Sequence, residues 1–195
     1  QQIRVGRLSP ATAVSNVKIK NTFMLGSNAA LSQTIKGRRY GLDIRQDSNT
    51  AGQSTGIEVA YSLFQYGNVP IWAQNNRSMT VEYTAFDANL TSNGAENHGE
   101  PISCYYSGNC SDSIVRFNKF RASNGTAVVA LGGGGTVNNF QFYGNVIWNA
   151  NIGDGILGFK DITRSNFTNS KVYNNTIANK GSGFSSGIAF MTGSG

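Results

Sequence analysis

One short pattern recurs along the chain and limits the folds that it can adopt. In this pattern, alternating apolar and polar residues lead to an asparagine, and an apolar residue follows two positions later. Two segments, Ile57–Leu63 and Met79–Ala85, share the alternation but lack the Asn. The full pattern occurs at Val17–Phe23, Ile114–Phe120, Phe140–Ile147 and Ser170–Ile177. Such alternation is typical of short β-strands, so the repeat predicts strands that recur at matching points of a repeating unit.

The spacing of the pattern defines a coil in the second half of the chain. Its asparagine recurs at Asn118, Asn145 and Asn175, which indicates a coil of about 27 to 30 residues. A second family of strand-like segments falls between the repeats: Glu100–Cys104, Thr126–Leu131, Asp154–Phe159 and Ser186–Phe190. Two families that alternate within one period predict parallel strands stacked coil upon coil, which is an all-β solenoid.

The recurring Asn suits the turn of such a coil. Asn tolerates left-handed backbone geometry, and its amide can hydrogen-bond to nearby backbone or to the Asn of the next coil. No long periodicity of 3.6 residues is present, so helices are poorly supported. An antiparallel sandwich would accommodate the strands but would not explain a regularly spaced Asn. Aromatic residues form 11% of the chain and Pro is scarce, which is typical of a folded protein rather than a disordered one.

Three phrases of the repeat, Val115–Phe120, Phe142–Val146 and Val172–Ile177, resemble the pectate-lyase-like superfamily of right-handed parallel β-helices. The resemblance extends over roughly residues 57–190 and implies the right hand of the coil. Members of that superfamily include polysaccharide lyases, glycoside hydrolases, epimerases, phage tailspikes and surface adhesins. We therefore expect one parallel β-helix domain over residues 1–195, either a processed product or a segment of a longer chain.

The charge balance favours a polyanionic partner. The formal net charge is +6, yet the densest basic group is only Lys36, Arg38 and Arg39. No nucleic-acid-binding motif is present, and no apolar run reaches the roughly 18 residues of a membrane span. We therefore expect an acidic polysaccharide as partner, with no nucleic acid and no membrane span.

The segment between Phe86 and Ser113 interrupts the coil rhythm, and we expect a long loop there, over residues 87–112. Insertions in solenoids usually form loops on one face, often the binding face. The loop contains the single histidine of the chain, His98, between Glu96 and Glu100. A histidine flanked by carboxylates can act as a general acid or base, so these residues are the candidate catalytic group of a lyase or hydrolase. The alternative is a solvated surface loop with no catalytic role.

Further residues near the loop complete the predicted site. Lys119, a fourth candidate catalytic residue, would with Arg116 and Arg121 neutralise the acid of a bound sugar. Tyr105 and Tyr106 are predicted to stack on sugar rings, whereas Trp148 is predicted to pack in the core. No cofactor and no metal site is expected, although Ca²⁺ bound by Asp87, Glu96 or Asp112 is an alternative that the spacing does not demand.

Cys104 and Cys110 lie close enough in sequence to close a small loop as a disulfide, which would indicate an oxidising, extracellular compartment. Six Asn-x-Ser/Thr sequons, at Asn76, Asn89, Asn109, Asn124, Asn166 and Asn174, are compatible with a secreted or cell-surface glycoprotein.

Two functional hypotheses follow. The first is an extracellular β-helix that binds an acidic polysaccharide, with cleavage as an open question. The second is a non-catalytic structural or adhesive module of a fibre, tailspike or surface protein, which associates with itself by coil stacking or trimerisation.

Overall fold

The structure of the protein is a computed structural model. It describes residues 3–4, 13–26, 40–44, 53–67, 69–73, 76–88, 99–104, 110–122, 124–125, 127–132, 136–148, 151–152, 157–160, 166–178 and 188–191. Within these ranges all regular secondary structure is β-strand, and every pairing between strands is parallel. The predicted all-β class with stacked parallel strands is therefore confirmed.

Three long sheets run the length of the stack, named I, II and III in the order in which each coil passes through them. Sheet I contains β2 (Lys18–Lys20), β6 (Glu58–Ala60), β10 (Thr80–Glu82), β13 (Ile114–Arg116), β18 (Gln141–Tyr143) and β23 (Lys171–Tyr173). We number the coils 1 to 6 by the sheet I strand that each one contains, from β2 in coil 1 to β23 in coil 6. Sheet II contains β3 (Phe23–Leu25), β7 (Leu63–Gln65), β11 (Ala85–Asp87), β14 (Lys119–Arg121), β19 (Val146–Trp148) and β24 (Thr176–Ala178).

Sheet III completes each coil. It contains β1 (Ile3–Arg4), β4 (Tyr40–Asp43), β8 (Val69–Trp72), β12 (Ile102–Cys104), β16 (Val129–Gly132), β21 (Leu157–Lys160) and β25 (Ile188–Met191). Short parallel pairs lie between the long sheets: β5 (Ser54–Thr55) with β9 (Asn76–Arg77), β15 (Asn124–Gly125) with β20 (Asn151–Ile152), and β17 (Thr136–Asn138) with β22 (Asn166–Thr168). The second predicted strand family corresponds to β12, β16, β21 and β25, which are consecutive neighbours in sheet III.

The core lies between the sheets, and the middle residue of most three-residue strands points into it. Val59, Val81 and Val115 of sheet I are fully buried. In sheet II, the rings of Phe64, Phe86 and Phe120 form a stack with centroids 5.4 and 4.9 Å apart. Such stacked pairs add about 0.5–1.5 kcal/mol each beyond the burial of their apolar area. The repeat therefore produces a continuous core because equivalent residues of successive coils touch.

Sheet III differs from the other two because its strands β8 and β12 are buried on both faces. Leu42, Ile71 and Ile102 join the main core, and Asp43, Trp72 and Ser103, which alternate with them, are also buried. Trp72 packs with Val69 in a separate cluster on the second face. The outward side chains available to a partner in the described strands therefore belong mainly to sheets I and II.

The corner between sheets I and II carries a ladder of polar residues, which we call the corner ladder. One polar side chain per coil links to the next coil, for instance through the backbone N–H of Thr84, which donates to Oδ1 of Asn118 at 3.0 Å. Asn118 continues the ladder, since its backbone N–H donates to Oδ1 of Asn145 at 3.0 Å. The rungs are Thr22, Ser62, Thr84, Asn118, Asn145 and Asn175. The hydrogen-bonding role predicted for the recurring Asn is present at the last three rungs.

The coils differ in length between the two halves of the chain, as the distances in sequence between successive rungs show. In the second half, the rungs at Asn118, Asn145 and Asn175 are separated by 27 and 30 residues. In the first half, the rungs from Thr22 to Asn118 are separated by 40, 22 and 34 residues. The first half thus keeps the same register of strands while the connections between them vary in length.

The structure corrects two details of the predicted repeat. Asn21 is not a rung, because Thr22 occupies the ladder position in the first coil. The left-handed backbone belongs to the residue before each rung, as at Phe117 with φ 55° and Asn174 with φ 53°. Each repeated segment is consequently two strands on either side of a corner, rather than one strand that ends at the Asn.

The segment 87–112 is not one uninterrupted loop. Asp87 ends β11, and Ile102–Cys104 forms a strand of sheet III between β8 and β16. A disulfide joins Cys104 to Cys110, with 6.2 Å between the Cα atoms. In the described ranges no helix is long and apolar enough to cross a membrane.

Candidate binding groove between sheets I and II

A column of residues lies on the outside of the corner between sheets I and II, one residue before each rung. We call it the outer corner column: Asn21, Tyr61, Tyr83, Phe117, Gly144 and Asn174. All six have positive φ, a conformation that costs a non-glycine residue about 1–2 kcal/mol. Tyr61, Tyr83 and Phe117 are 55%, 48% and 42% exposed, although aromatic rings are usually buried. The strained, exposed aromatic residues mark this corner as distinctive.

The exposed rings stack on one another along the solenoid. The centroids of Tyr61 and Tyr83 are 5.2 Å apart with planes within 2°, and those of Tyr83 and Phe117 are 5.3 Å apart. Beyond Phe117 the ring contacts continue on sheet I, outside the column. There Tyr143 meets Phe117 edge-on at 5.5 Å and stacks on Tyr173 at 4.7 Å. Because Tyr83 stacks between the rings of Tyr61 and Phe117, this part of the column presents mainly ring edges to solvent.

Gly144, in the fifth coil, leaves room for the ring of Phe117 from the fourth coil. A Cβ atom at this residue would lie 2.6 Å from two carbons of the Phe117 ring, and the φ of Gly144 is +65°. Only glycine combines that conformation with such a close ring, so Gly144 lets the Phe117 ring lie over the next corner.

A groove of about 670 Å³ runs beside the outer corner column. One wall is formed by Tyr61, Tyr83 and Phe117. The opposite wall consists of outward side chains of sheet II, and the rungs lie at the base. The lining residues are Asn21, Thr22, Phe23, Tyr61, Ser62, Leu63, Tyr83, Thr84, Ala85, Phe117 and Lys119. The groove therefore crosses four coils and is open to a ligand that lies along the axis of the stack.

Lys119 supplies the positive charge of the groove. It is exposed on β14, in register with Ala85 of the preceding coil and Val146 of the following one. Among the described residues, no carboxylate lies within ion-pair distance of its ammonium group. Lys119 was predicted as a catalytic residue, and the structure places it where it can meet an anionic ligand.

The two predicted substrate-binding arginines are engaged within the protein. Arg116 donates from Nε to Oε2 of Glu82 at 2.7 Å and from an Nη atom to the hydroxyl of Tyr143 at 3.0 Å. The hydrogen bonds to Tyr143 and Glu82 raise the pKa of the Arg116 guanidinium above its ordinary value. Arg121 donates from Nε to Oδ1 of Asp87 at 2.7 Å. These arginines bridge neighbouring coils and are less available to a ligand than Lys119 is.

The predicted catalytic group divides between described and undescribed parts of the chain. Glu100 is fully buried just before β12. Glu96, His98, Tyr105 and Tyr106 lie outside the described residues, as do Lys36, Arg38 and Arg39. Of the predicted catalytic residues that the structure describes, Lys119 lies at the groove and Glu100 does not.

The two tryptophans have different surroundings. Trp72 is buried and cannot stack on a sugar from solvent. Trp148 is half-buried and pairs in register with Arg121, while its neighbour Ile147 fills the core, so the prediction that Trp148 packs in the core is wrong. The three-residue strand after the rung explains the error, because only its middle residue points inward.

Carboxylates do not gather into a cation site in the described part of the chain, where no cluster of three or more His, Cys, Asp or Glu is placed to hold a metal. Arg121 hydrogen-bonds to Asp87 and lowers the pKa of that carboxyl. Arg77 lies 2.6 Å from Asp112 and likewise lowers its pKa. Asp87 and Asp112, two of the three suggested Ca²⁺ ligands, are thus each paired with an arginine.

A second hollow of about 530 Å³ lies beside β17 and β22. Its polar groups bond largely to one another. Nδ2 of Asn139 donates to Asp112 at 3.1 Å, and both Asn169 and Thr168 donate to Oδ1 of Asn138. Because these groups satisfy each other, this hollow offers a ligand less than the corner groove does.

The groove was missed in the sequence because the repeat was aligned on Asn alone. An aromatic residue stands directly before the polar rung in Tyr61-Ser62, Tyr83-Thr84 and Phe117-Asn118. That recurring pair is the signal that locates the aromatic wall.

The sequence matches no protein-family model, and searches of curated proteins and of solved structures give no significant match.

Proposed function

We propose that this protein is an extracellular, right-handed parallel β-helix of the pectate-lyase-like kind that binds an acidic polysaccharide in the corner groove. The observation that carries the proposal is an open groove across four coils with Lys119 exposed in it. The disulfide between Cys104 and Cys110 supports an oxidising compartment, and the formal net charge of +6 supports an anionic partner.

The aromatic wall favours an anion for a second reason. The edge of an aromatic ring carries partial positive charge, whereas its face carries partial negative charge. Since the faces of Tyr61, Tyr83 and Phe117 are turned toward one another, the ring edges are what a ligand meets. Together with Lys119, these edges attract carboxylate and hydroxyl oxygens, while Phe23 and Leu63 offer apolar contact to the C–H groups of a sugar.

The repeat of the groove suits a linear chain. Equivalent groups recur once per coil, with ring centroids 5.2 and 5.3 Å apart. A pyranose residue in an extended chain advances by a similar distance. A polysaccharide that lies along the axis therefore meets comparable surroundings at each residue, with one carboxylate at Lys119.

Binding is tested by calorimetric titration with polygalacturonate, polymannuronate and hyaluronan, with neutral dextran as the reference. We expect at least one uronate polymer to bind, dextran not to bind, and Lys119→Gln to weaken binding about tenfold, the equivalent of about 1.4 kcal/mol. Lys171→Gln is the matched control, because Lys171 is exposed on sheet I outside the groove. Failure of every anionic polymer to bind, or equal losses in the two variants, contradicts the proposal.

Cleavage by a lyase or hydrolase reaction is a separate part of the proposal. Its support is the sequence Glu96-Asn97-His98-Gly99-Glu100, which sets the single histidine between two carboxylates. An assay for reducing ends and for unsaturated products, run on each polymer that binds, tests it with His98→Ala as the paired variant. Product formation that His98→Ala abolishes supports catalysis. Binding without product, or an unimpaired variant, leaves a binding protein only.

A second candidate function is a structural or adhesive module. It is favoured by two large apolar residues exposed on β3, Phe23 at 60% and Leu25 at 58%. Large exposed apolar surfaces often mark contacts between proteins. Light scattering distinguishes the two functions. A concentration-dependent trimer or filament that Phe23→Ser disrupts favours the module, and a monomer at all concentrations favours the binding protein.

A further inference from the structure

Two sequon asparagines of the chain have opposite surroundings, and this decides which of them can accept an N-linked glycan. Side chains are described for two of the sequon asparagines, Asn76 and Asn174. Asn124 and Asn166 are described as backbone only, in β15 and β22, and Asn89 and Asn109 lie outside the described residues. Asn76 and Asn174 are therefore the two acceptors whose surroundings can be compared.

Asn76 cannot carry a glycan in the folded protein. Its side chain has no exposed surface, and Nδ2 donates to the carbonyl of Ile44 at 2.7 Å. A sugar on Nδ2 would break this hydrogen bond and push β9 away from Ile44, the residue that follows β4. A chain modified at Asn76 is therefore expected not to reach the native fold.

Asn174 has the opposite surroundings. It lies in the outer corner column, is exposed and has φ 53°. The same position holds the projecting rings of Tyr83 and Phe117 in earlier coils, so it admits bulky groups that point away from the body. The adjacent amide, that of Asn175, is the one used by the corner ladder, through Nδ2 to the carbonyl of Phe142 at 3.0 Å. Within the described residues, the Asn174 amide has no hydrogen-bond partner.

The remaining part of the sequon is also accessible. Thr176, two residues after Asn174, is exposed at the start of β24. Asn174-Asn175-Thr176 therefore presents its acceptor and its hydroxyl residue on the outside of the sixth coil, while Asn175 between them turns inward.

We infer that Asn174 is an N-glycosylation site when the chain passes through a secretory pathway with an oligosaccharyltransferase. Nδ2 of Asn174 forms a bond to C1 of the first sugar of a lipid pyrophosphate-linked oligosaccharide. The bond from C1 to the pyrophosphate oxygen breaks, the lipid pyrophosphate leaves with that electron pair, and Nδ2 loses one proton. The glycan then projects from coil 6, beyond the groove that coils 1 to 4 line, and leaves the groove open.

The test is secretion of the full chain from a eukaryotic cell, followed by peptide mapping after enzymatic deglycosylation in ¹⁸O-labelled water. The expected result is conversion of Asn174 to labelled Asp, with Asn76 unlabelled in the same folded material. Asn174→Gln and Thr176→Val each remove the label at this site, whereas Thr176→Ser keeps it. Two variants that abolish the sequon by different residues guard against one that fails to fold.

An unlabelled Asn174 in secreted, folded protein overturns the inference, and so does labelled Asn76. A neutral-polymer or anionic-polymer titration of the glycosylated chain is independent of this outcome, since the proposed glycan lies outside the groove.

Discussion

The two halves of the corner ladder solve the same structural problem with different chemical groups. In the first half the rungs are hydroxyls. Oγ of Ser62 accepts from the backbone N–H of Thr22 and donates to the carbonyl of Ala60, two residues earlier. In the second half the rungs are amides. Nδ2 of Asn145 donates to the carbonyl of Val115, a whole coil earlier, as well as to Oδ1 of Asn175. Both kinds of rung accept a hydrogen bond from the previous coil, but the Ser62 hydroxyl donates within its own corner, whereas the Asn145 amide donates to the coils on either side.

The outer corner column changes at the same place. Beside the hydroxyl rungs stand the exposed rings of Tyr61 and Tyr83, and beside the later amide rungs stand Gly144 and Asn174. The groove therefore lies along the hydroxyl half, and its end falls near Phe117, where the amide rungs begin. In the first half, where hydroxyl rungs make fewer hydrogen bonds between coils, stacked aromatic rings also hold the coils together. The same rings form one wall of the groove.

The largest predicted effect compares the two kinds of rung directly. Asn145→Ala removes the acceptor for the buried N–H of Asn118 and the donor to the carbonyl of Val115. Each buried polar group left without a partner costs about 1–3 kcal/mol, so we expect a loss of about 3 kcal/mol. Thr84→Ala loses one acceptor and one local bond and should cost about 1 kcal/mol. Urea unfolding measures both, and equal losses would show that the two halves are equivalent.

The next effect concerns the corner itself. Gly144→Ala places a Cβ against the Phe117 ring in a left-handed conformation and should cost about 2 kcal/mol. Tyr83→Gly removes two ring contacts but relieves the strain of a tyrosine at φ 48°, so its cost should be smaller. Thermal unfolding of the two variants, with Tyr83→Phe as the conservative control, gives the order. A greater loss for Tyr83→Gly would mean that stacking outweighs backbone strain at this corner.

The smallest effect concerns the seam where the halves meet. Coils 3 and 4 are joined by ion pairs of Arg77 with Asp112, Arg116 with Glu82, and Arg121 with Asp87. The folded-state pKa of Asp87 and of Asp112 is lowered. The Asp87 and Asp112 pairs therefore stabilise the fold fully above the unfolded pKa of about 4, and their contribution is lost as pH falls through the lower folded values.

Stability should accordingly fall on acidification below about pH 4, and Arg121→Gln should flatten part of that dependence. Because Arg77 and Arg121 are each 52% exposed, solvent screens these pairs, and the effect should be much smaller than that of Asn145→Ala. Melting temperatures across an acid pH series measure it, and Lys171→Gln serves as the exposed control. An unchanged slope in Arg121→Gln would exclude the Asp87 pair as a source of the pH dependence.

The same contrast explains what the sequence predicted and what it did not. Asn118, Asn145 and Asn175 repeat at nearly constant spacing, and alternation marks the strands beside them, so the second half was predictable from pattern alone. Ser62 and Thr84 perform the same hydrogen bonding with a different residue type and at irregular spacing. An alignment on Asn therefore passed over them and placed the first rung one residue out of register.

The candidate site was harder to predict because it depends on backbone conformation. The projection of Tyr83 and Phe117 follows from a positive φ one residue before the rung, which neither hydrophobicity nor alternation indicates. The arginines near the groove were assigned to the ligand because a sequence does not show that Glu82 and Asp87 of the previous coil pair with them. Lys119 is exposed on β14, and the catalytic role predicted for it stays a prediction.

The most direct test of the proposed groove is mapping of backbone amide shifts by NMR during titration with tetragalacturonate, with cellotetraose as the neutral control. We predict saturable shifts at groove residues of coils 1 to 4, including Ser62, Thr84 and Lys119, and little change at Lys171. In Lys119→Gln the same shifts should saturate only at about tenfold higher ligand concentration. Saturable shifts confined to residues outside the groove, or equal responses to the charged and neutral sugars, would contradict binding of an acidic polysaccharide there.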